Sequence, residues 1–140
     1  MQKSAPLIRG VAEVVSIADA CLGGLRGRSA LLIGPQEQRS PYMLLLQQAE
    51  MKYIYQEDSP IHISPILPHV QLLISVPAPS QAVPLLKAAS IARGCVGRRT
   101  PLLIFDLSES TPSVEELAGL LPAVCLYTPE DMRRIFSKIG

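Results

Sequence analysis

A chain of 140 residues makes one domain with room for a single sizeable core. It is 48% hydrophobic and 18% charged, a balance that suits a sheet buried on both faces. A formal net charge of +1, no Trp and only two Phe exclude the strongly basic profile and the aromatic stacking platform of a dedicated nucleic-acid binder.

Residues 1–9 lack a long apolar run and are expected to be a flexible N-terminal segment without a secretory signal. No stretch approaches the roughly 20 apolar residues of a membrane helix, so the default expectation is a cytoplasmic protein without a membrane partner. Val11 to Leu25 predicts an amphipathic helix, with Val11, Val14, Val15, Ala18, Cys21, Leu22 and Leu25 on one face and Gly23-Gly24 fraying its end. Ser29 to Ile33 predicts a buried strand. Ser40-Pro41 predicts a helix start, running to about Glu50, and Lys52 to Gln56 a second strand. Pro60, Pro65 and Pro68 forbid a long helix between Ser59 and His69, where a loop or one short turn is expected.

Leu72 to Val76 is continuously apolar, as central parallel strands are. Ser80 is a candidate cap for a helix over Gln81 to Arg93, followed by a basic turn and a strand over Leu102 to Leu107. Ser113-Val114-Glu115-Glu116 has the capping-box pattern for a short helix to about Leu120. Ala123 to Tyr127 predicts a last strand, and Thr128-Pro129-Glu130-Asp131 caps a final helix to about Lys138. Strands alternating with helices imply a three-layer α/β fold, with a mostly parallel twisted sheet and helices on both faces.

The segment after the first strand carries the most chemistry. Ser29-Ala30-Leu31-Leu32-Ile33-Gly34 reads as the opening of a dinucleotide-binding βα unit. The second and third glycines of that fingerprint are replaced by Gln36 and Arg39. The second glycine normally lets backbone approach a pyrophosphate and the third lets helix pack on strand, so Gln36 is expected to obstruct the phosphate position. Glu37 and Glu57 add negative charge nearby. The ligand crevice of an open α/β sheet lies at the C-terminal ends of its strands, where Gly34, Gln36, Gln56, Glu57, Ser75, Asp106 and Tyr127 are expected. That edge is either a remodelled site or an empty solvated rim.

The remaining polar residues point to no catalytic group. Cys21, Cys95 and Cys125 match no zinc spacing, make an odd count, and are expected to be buried reduced thiols. His62 and His69 lack a third ligand, so no metal site is expected. Asp106 is expected to cap the following turn rather than to catalyse. Arg26, Arg28, Arg98 and Arg99 fall at the N-terminal edge of the sheet, either as a solvated rim or as a contact for an anionic partner.

Three runs carry a resemblance: Leu25-Arg26-Gly27-Arg28-Ser29-Ala30-Leu31-Leu32-Ile33-Gly34, Leu72-Leu73-Ile74-Ser75, and Arg99-Thr100-Pro101-Leu102-Leu103-Ile104-Phe105-Asp106-Leu107. With the closing Leu126-Tyr127-Thr128-Pro129-Glu130-Asp131-Met132, their joint order resembles the NADP-binding domain of the glutamyl-tRNA reductase family from about Gly10 onward. Shikimate dehydrogenase and siroheme-synthase domains share less of the pattern. The resemblance implies a Rossmann-like fold over residues 1–140 and NADP as cofactor. It implies NADPH-dependent reduction of glutamyl-tRNA to glutamate-1-semialdehyde in an intact relative, within porphyrin synthesis. It also implies a neighbouring catalytic domain and a helical dimerisation domain.

The family's nucleophile motif is absent, so the chain alone is not expected to catalyse, and tRNA is at most an indirect partner. By this resemblance the cofactor-side positions are Gly34, Pro35, Gln36, Glu57, Asp58, Ser59, Ser75 and Val76. Glu57 and Asp58 stand where the family places a polar residue and an Arg for the 2′-phosphate, and Ser75-Val76-Pro77-Ala78 replaces its Ser-Thr-Gly run. NADP binding is therefore expected to be weak or lost, with NAD favoured if either binds. The alternatives are a non-enzymatic interaction module that kept the fold, or a domain for a different nucleotide.

Overall fold

The computed structural model of the chain describes residues 4–78, 84–109 and 111–139. Its centre is a parallel sheet in the order β2-β1-β3-β4-β5. The strands are β1 (Ser29–Ile33), β2 (Tyr53–Glu57), β3 (Leu72–Ser75), β4 (Leu102–Asp106) and β5 (Val124–Tyr127). The helices are α1 (Ser4–Leu22), α2 (Gln36–Gln48), α3 (Ala88–Gly94) and α4 (Pro129–Ile139). β1, β3 and β4 are buried along their whole length.

Side-chain alternation gives the sheet two apolar faces. Ala30, Leu32, Leu72, Ile74, Leu103 and Phe105 pack with α1, α2 and α4. Leu31, Ile33, Leu73, Leu102 and Ile104 pack beneath α3 and two 3₁₀ turns, at Leu67–His69 and Glu116–Leu120. Each fully buried Leu or Ile contributes roughly 1.5–3 kcal/mol, so both faces are needed. The three-layer α/β reading of the sequence is correct, and the proline-rich stretch forms one short turn as expected.

Element ends differ from the sequence reading for local reasons. α1 begins at Ser4, inside the segment expected to be flexible, and stops at Leu22 rather than Leu25. Gly23 (φ 68°) and Gly24 (φ 111°) close it: the Gly23 and Gly24 amides donate to Ala20 O and Asp19 O, a Schellman ending. Arg28 completes this end by donating to Leu22 O at 2.7 Å and Gly24 O at 2.8 Å.

α2 begins at Gln36, not Ser40. The Pro35 carbonyl accepts from the Gln38 and Arg39 amides, and Ser40 Oγ donates to Gln36 O instead of capping. Pro41 lies inside the helix, where the Glu37 carbonyl loses its i→i−4 donor.

α3 is shorter than expected, because Leu86 forms a parallel bridge with Val114 that holds the chain extended up to Lys87. The Ser80 cap lies outside the described residues. Glu115 of the bridged segment caps α3 instead, accepting from the Ala88 amide at 2.8 Å. The Ser113 capping box does not form: Ser113 Oγ pairs with Ser108 Oγ, and Glu116 opens a 3₁₀ turn. At α4 the cap is as expected, with Thr128 Oγ1 accepting from the Asp131 amide at 3.1 Å and Asp131 Oδ2 accepting from the Thr128 amide at 2.9 Å.

Candidate functional site

β1 and β3 are neighbours, but the chain leaves them for opposite sides of the sheet. That is the topological switch point, where open α/β sheets bind ligands. A cavity of about 270 Å³ opens there. Gly34, Pro35, Ser75 and Val76 line it from the strand ends, and Asp58 and Pro60 from beyond β2. Ala78, Leu85, Leu86 and Ser113 complete the wall from the loops.

Five of the eight sequence-derived positions therefore converge: Gly34, Pro35, Asp58, Ser75 and Val76. Gln36, Glu57 and Ser59 do not. Gln36 opens α2 with an exposed side chain, so it does not obstruct the cavity. Glu57 contributes its carbonyl, which accepts from the Gly34 amide at 2.9 Å. Leu85, Leu86 and Ser113 escaped sequence reasoning because they look like helix interior and helix cap; the Leu86–Val114 bridge buries Leu86, while Leu85 borders the cavity half-exposed.

A pyrophosphate needs small residues and free amides at the first turn of α2. Gly34 has φ 130°, as the tight turn demands, but a Cβ placed on it would lie 2.5 Å from Val76 Cγ2. That contact accounts for the glycine itself, and the Gly34 amide is already taken by the Glu57 carbonyl. Pro35 has no N–H to offer, and Glu37 adds negative charge to the turn. The residues do not fit a pyrophosphate. The β2 end does fit a ribose, because Asp58 presents an exposed carboxylate at the cavity wall.

Behind Asp58 lies Arg39, in the place of the third glycine. Its side chain is 8% exposed, against 86% for Asp58. Nη2 donates to Asp58 Oδ1 at 2.7 Å and Nη1 to Gln56 Oε1 at 3.3 Å, while the buried Nε has no partner among the described residues. Arg39 thus packs α2 on β2 through a buried cation where a glycine would allow direct contact.

Asp106 and Tyr127 do not line this cavity. Asp106 Oδ1 accepts from Ser108 Oγ at 2.8 Å and the Ser108 amide at 3.2 Å, and Oδ2 from the Val114 amide at 2.9 Å. It fastens the loop after β4, as its capping role requires. Burial pushes its carboxyl up from the ordinary value, against the downward pull of those donors. Tyr127 stacks on Phe105 at 5.0 Å, and its hydroxyl lies 3.5 Å from Cys21 Sγ. That hydrogen bond and burial push the phenol up to about 12.

The thiols correct the expectation of three buried cysteines. Cys95 is buried, but Cys21, near the end of α1, and Cys125, on edge strand β5, are exposed. Among the described residues no three His, Cys, Asp or Glu converge for a metal. At the opposite sheet edge Arg28 caps α1, Arg98 donates to Leu67 O at 2.8 Å and to Thr100 O at 2.8 Å, and Arg26 pairs with Glu50 at 3.0 Å.

These features define a Rossmann-like α/β fold. Among solved structures, glutamyl-tRNA reductase from Methanopyrus kandleri matches 94% of this chain and 37% of its own, with a TM-score of 0.71 and 16% identity. The bifunctional methylenetetrahydrofolate dehydrogenase/cyclohydrolase FolD from Campylobacter jejuni matches over 91% and 46%, with a TM-score of 0.63 and 14% identity. The Trypanosoma brucei FolD, complexed with NADP and an inhibitor, matches over 93% and 50%, with a TM-score of 0.57 and 12% identity. The chain spans half or less of the length of these neighbours. No protein-family model and no curated protein sequence matches it. Among the described residues no helix is long and apolar enough to cross a membrane.

Proposed function

We propose that this chain is the nucleotide-binding-type domain of a glutamyl-tRNA reductase-like protein and does not catalyse alone. The observation that carries the reading is the Gly34 turn at the β1–β3 switch point, opening on a cavity that Asp58 lines. In an intact relative the domain would serve NADPH-dependent reduction of glutamyl-tRNA in porphyrin synthesis. Its partners would be the other domains of such a reductase or a second copy of the chain, with tRNA engaged only indirectly and the setting cytoplasmic.

Dinucleotide binding is weak here, because Pro35 has no N–H, the Gly34 amide is bonded to the Glu57 carbonyl and Glu37 adds negative charge at the turn. Of the two dinucleotides NAD is favoured, since Asp58 accepts from ribose hydroxyls and repels a 2′-phosphate. Calorimetric titration with NAD and NADP tests this: the expected order is NAD above NADP, and a preference for NADP removes the role given to Asp58.

One observation favours a second reading, an interaction module that kept the fold and lost the cofactor. The turn keeps its glycine, yet neither Gly34, whose amide is bonded to the Glu57 carbonyl, nor Pro35 has an N–H free for a phosphate. Failure of both dinucleotides to bind at millimolar concentration selects this reading.

A further inference from the structure

Another cavity, of about 330 Å³, opens at the N-terminal edge of the sheet, away from the crevice. Arg28, Gln71 and Thr100, each just ahead of a strand, line it together with Leu103, Cys21 and Cys125. The two thiols come from distant parts of the chain: Cys21 lies in the last turn of α1, and Cys125 is the second residue of edge strand β5. Both are exposed. Cys125 pairs in register with Leu103, whose side chain belongs to the core beneath α1, so Cys125 and Tyr127 project from β5 on that same side. Cys21 already rests against this surface, with Sγ 3.5 Å from the Tyr127 hydroxyl. Burial and the neighbouring charge of Cys21 push the Cys125 thiol up from its ordinary value, so the two sulfurs lie within electrostatic reach of each other. Among the described residues no third His, Cys, Asp or Glu joins them to complete a metal site.

We infer that Cys21 and Cys125 are a redox pair, a site of reversible oxidation to a disulfide that ties the end of α1 to β5. The pair is separate from the crevice and stands whether or not a nucleotide binds there. Its co-reactant is a small-molecule disulfide, which reaches the thiols through the open cavity. Cys21 attacks first, as the thiolate, because the Tyr127 phenol is in place to donate to its sulfur once the proton has left. The S–S bond of the small molecule breaks, and its leaving half takes up the proton that Cys21 released. Cys125 then attacks Cys21 Sγ in the mixed disulfide, and the second half leaves with the proton from Cys125. Two protein thiols are oxidised to one disulfide, and one small-molecule disulfide is reduced to two thiols. Cys95 takes no part, since it is buried in the core on the other face.

The test equilibrates the reduced full chain with oxidised glutathione and follows it by intact mass, by mapping of linked peptides and by thermal melt. The expected product has lost two hydrogens, retains no glutathione and yields one linked peptide pair, Cys21 with Cys125. A bond closing a loop of roughly 100 residues is expected to raise the melting temperature by about 10 °C, reversibly with dithiothreitol. Cys125→Ser is expected to stop at one glutathione held on Cys21. Cys21→Ser is expected to take glutathione on Cys125 more slowly than Cys125→Ser takes it on Cys21.

A wild-type chain that keeps glutathione separately on both cysteines, forms disulfides between chains, or stays reduced would overturn the pair. So would an internal disulfide that lowers the melting temperature, because the bond would then form only by distorting the fold. Faster reaction in Cys21→Ser than in Cys125→Ser would overturn the order of attack.

Discussion

The two faces of the sheet are covered by different means. Three full helices, α1, α2 and α4, lie over Ala30, Leu32, Leu72, Ile74 and Phe105. Among the described residues the other face has the seven-residue α3, two 3₁₀ turns and loops tied by the Leu86–Val114 bridge. Prolines at 60, 65, 68 and 84 account for much of the contrast, since none can sit in a helix interior without loss of a hydrogen bond. A helix covers its face with one continuous stripe and can tolerate changes at its rim. A loop-covered face depends on single close contacts, and the candidate cavity is walled largely from that side. The candidate cavity thus borders the face that helices cover least.

The largest effect is expected where the faces meet. Gly34→Ala places a Cβ 2.5 Å from Val76 Cγ2 at φ 130°. Backbone strain and overpacking together should cost roughly 2–5 kcal/mol in urea denaturation. Pairing it with Val76→Ala should recover the clash and leave the strain. Full stability in the single variant would show that the turn is not held as described.

On the loop-covered face, Gly94→Ala brings a Cβ to 2.7 Å from Leu67 and 3.0 Å from the Ser64 carbonyl. The expected loss is about 1–3 kcal/mol, although alanine is otherwise the better helix former. A stabilised variant would mean that this face yields as readily as the other.

On the helix-covered face, Phe136 is half-buried, with its ring edge 4.0 Å from the position of a Cβ on Gly10, while Met132 is buried. We expect Phe136→Asp to cost about 1–2 kcal/mol and to shift a weak, concentration-dependent dimer towards monomer in sedimentation. A strict monomer whose variant melts far lower would assign Phe136 to the core along with Met132.

The smallest effect concerns Asp106. A carboxyl raised in the folded state binds more protons there than when unfolded, so its contribution to stability grows as the pH falls from the raised value towards the ordinary one. The melting-temperature gap between wild type and Asp106→Asn should widen on acidification through that window. A gap that narrows would mean that the three donors, not burial, set its titration.

Much of the fold is legible because the buried strands alternate between two cores, leaving Leu31-Leu32-Ile33, Leu72-Leu73-Ile74 and Leu102-Leu103-Ile104 as continuous apolar runs. Caps with local partners, such as Thr128 with Asp131, are equally visible. What escapes is long-range. Glu115 caps a helix 27 residues away in sequence, and Leu86 pairs with Val114. At the site, Gly34 announces itself by its place after a buried strand. The Arg39–Asp58 pair does not, because nothing in α2 marks one arginine as buried.

If this crevice keeps the switch-point geometry but gives a pyrophosphate no place, calorimetric titration of the purified chain with NADPH should give a dissociation constant weaker than about 0.1 mM, less than about 5.5 kcal/mol of binding free energy. An affinity in the low-micromolar range, about 7–8 kcal/mol, would contradict it.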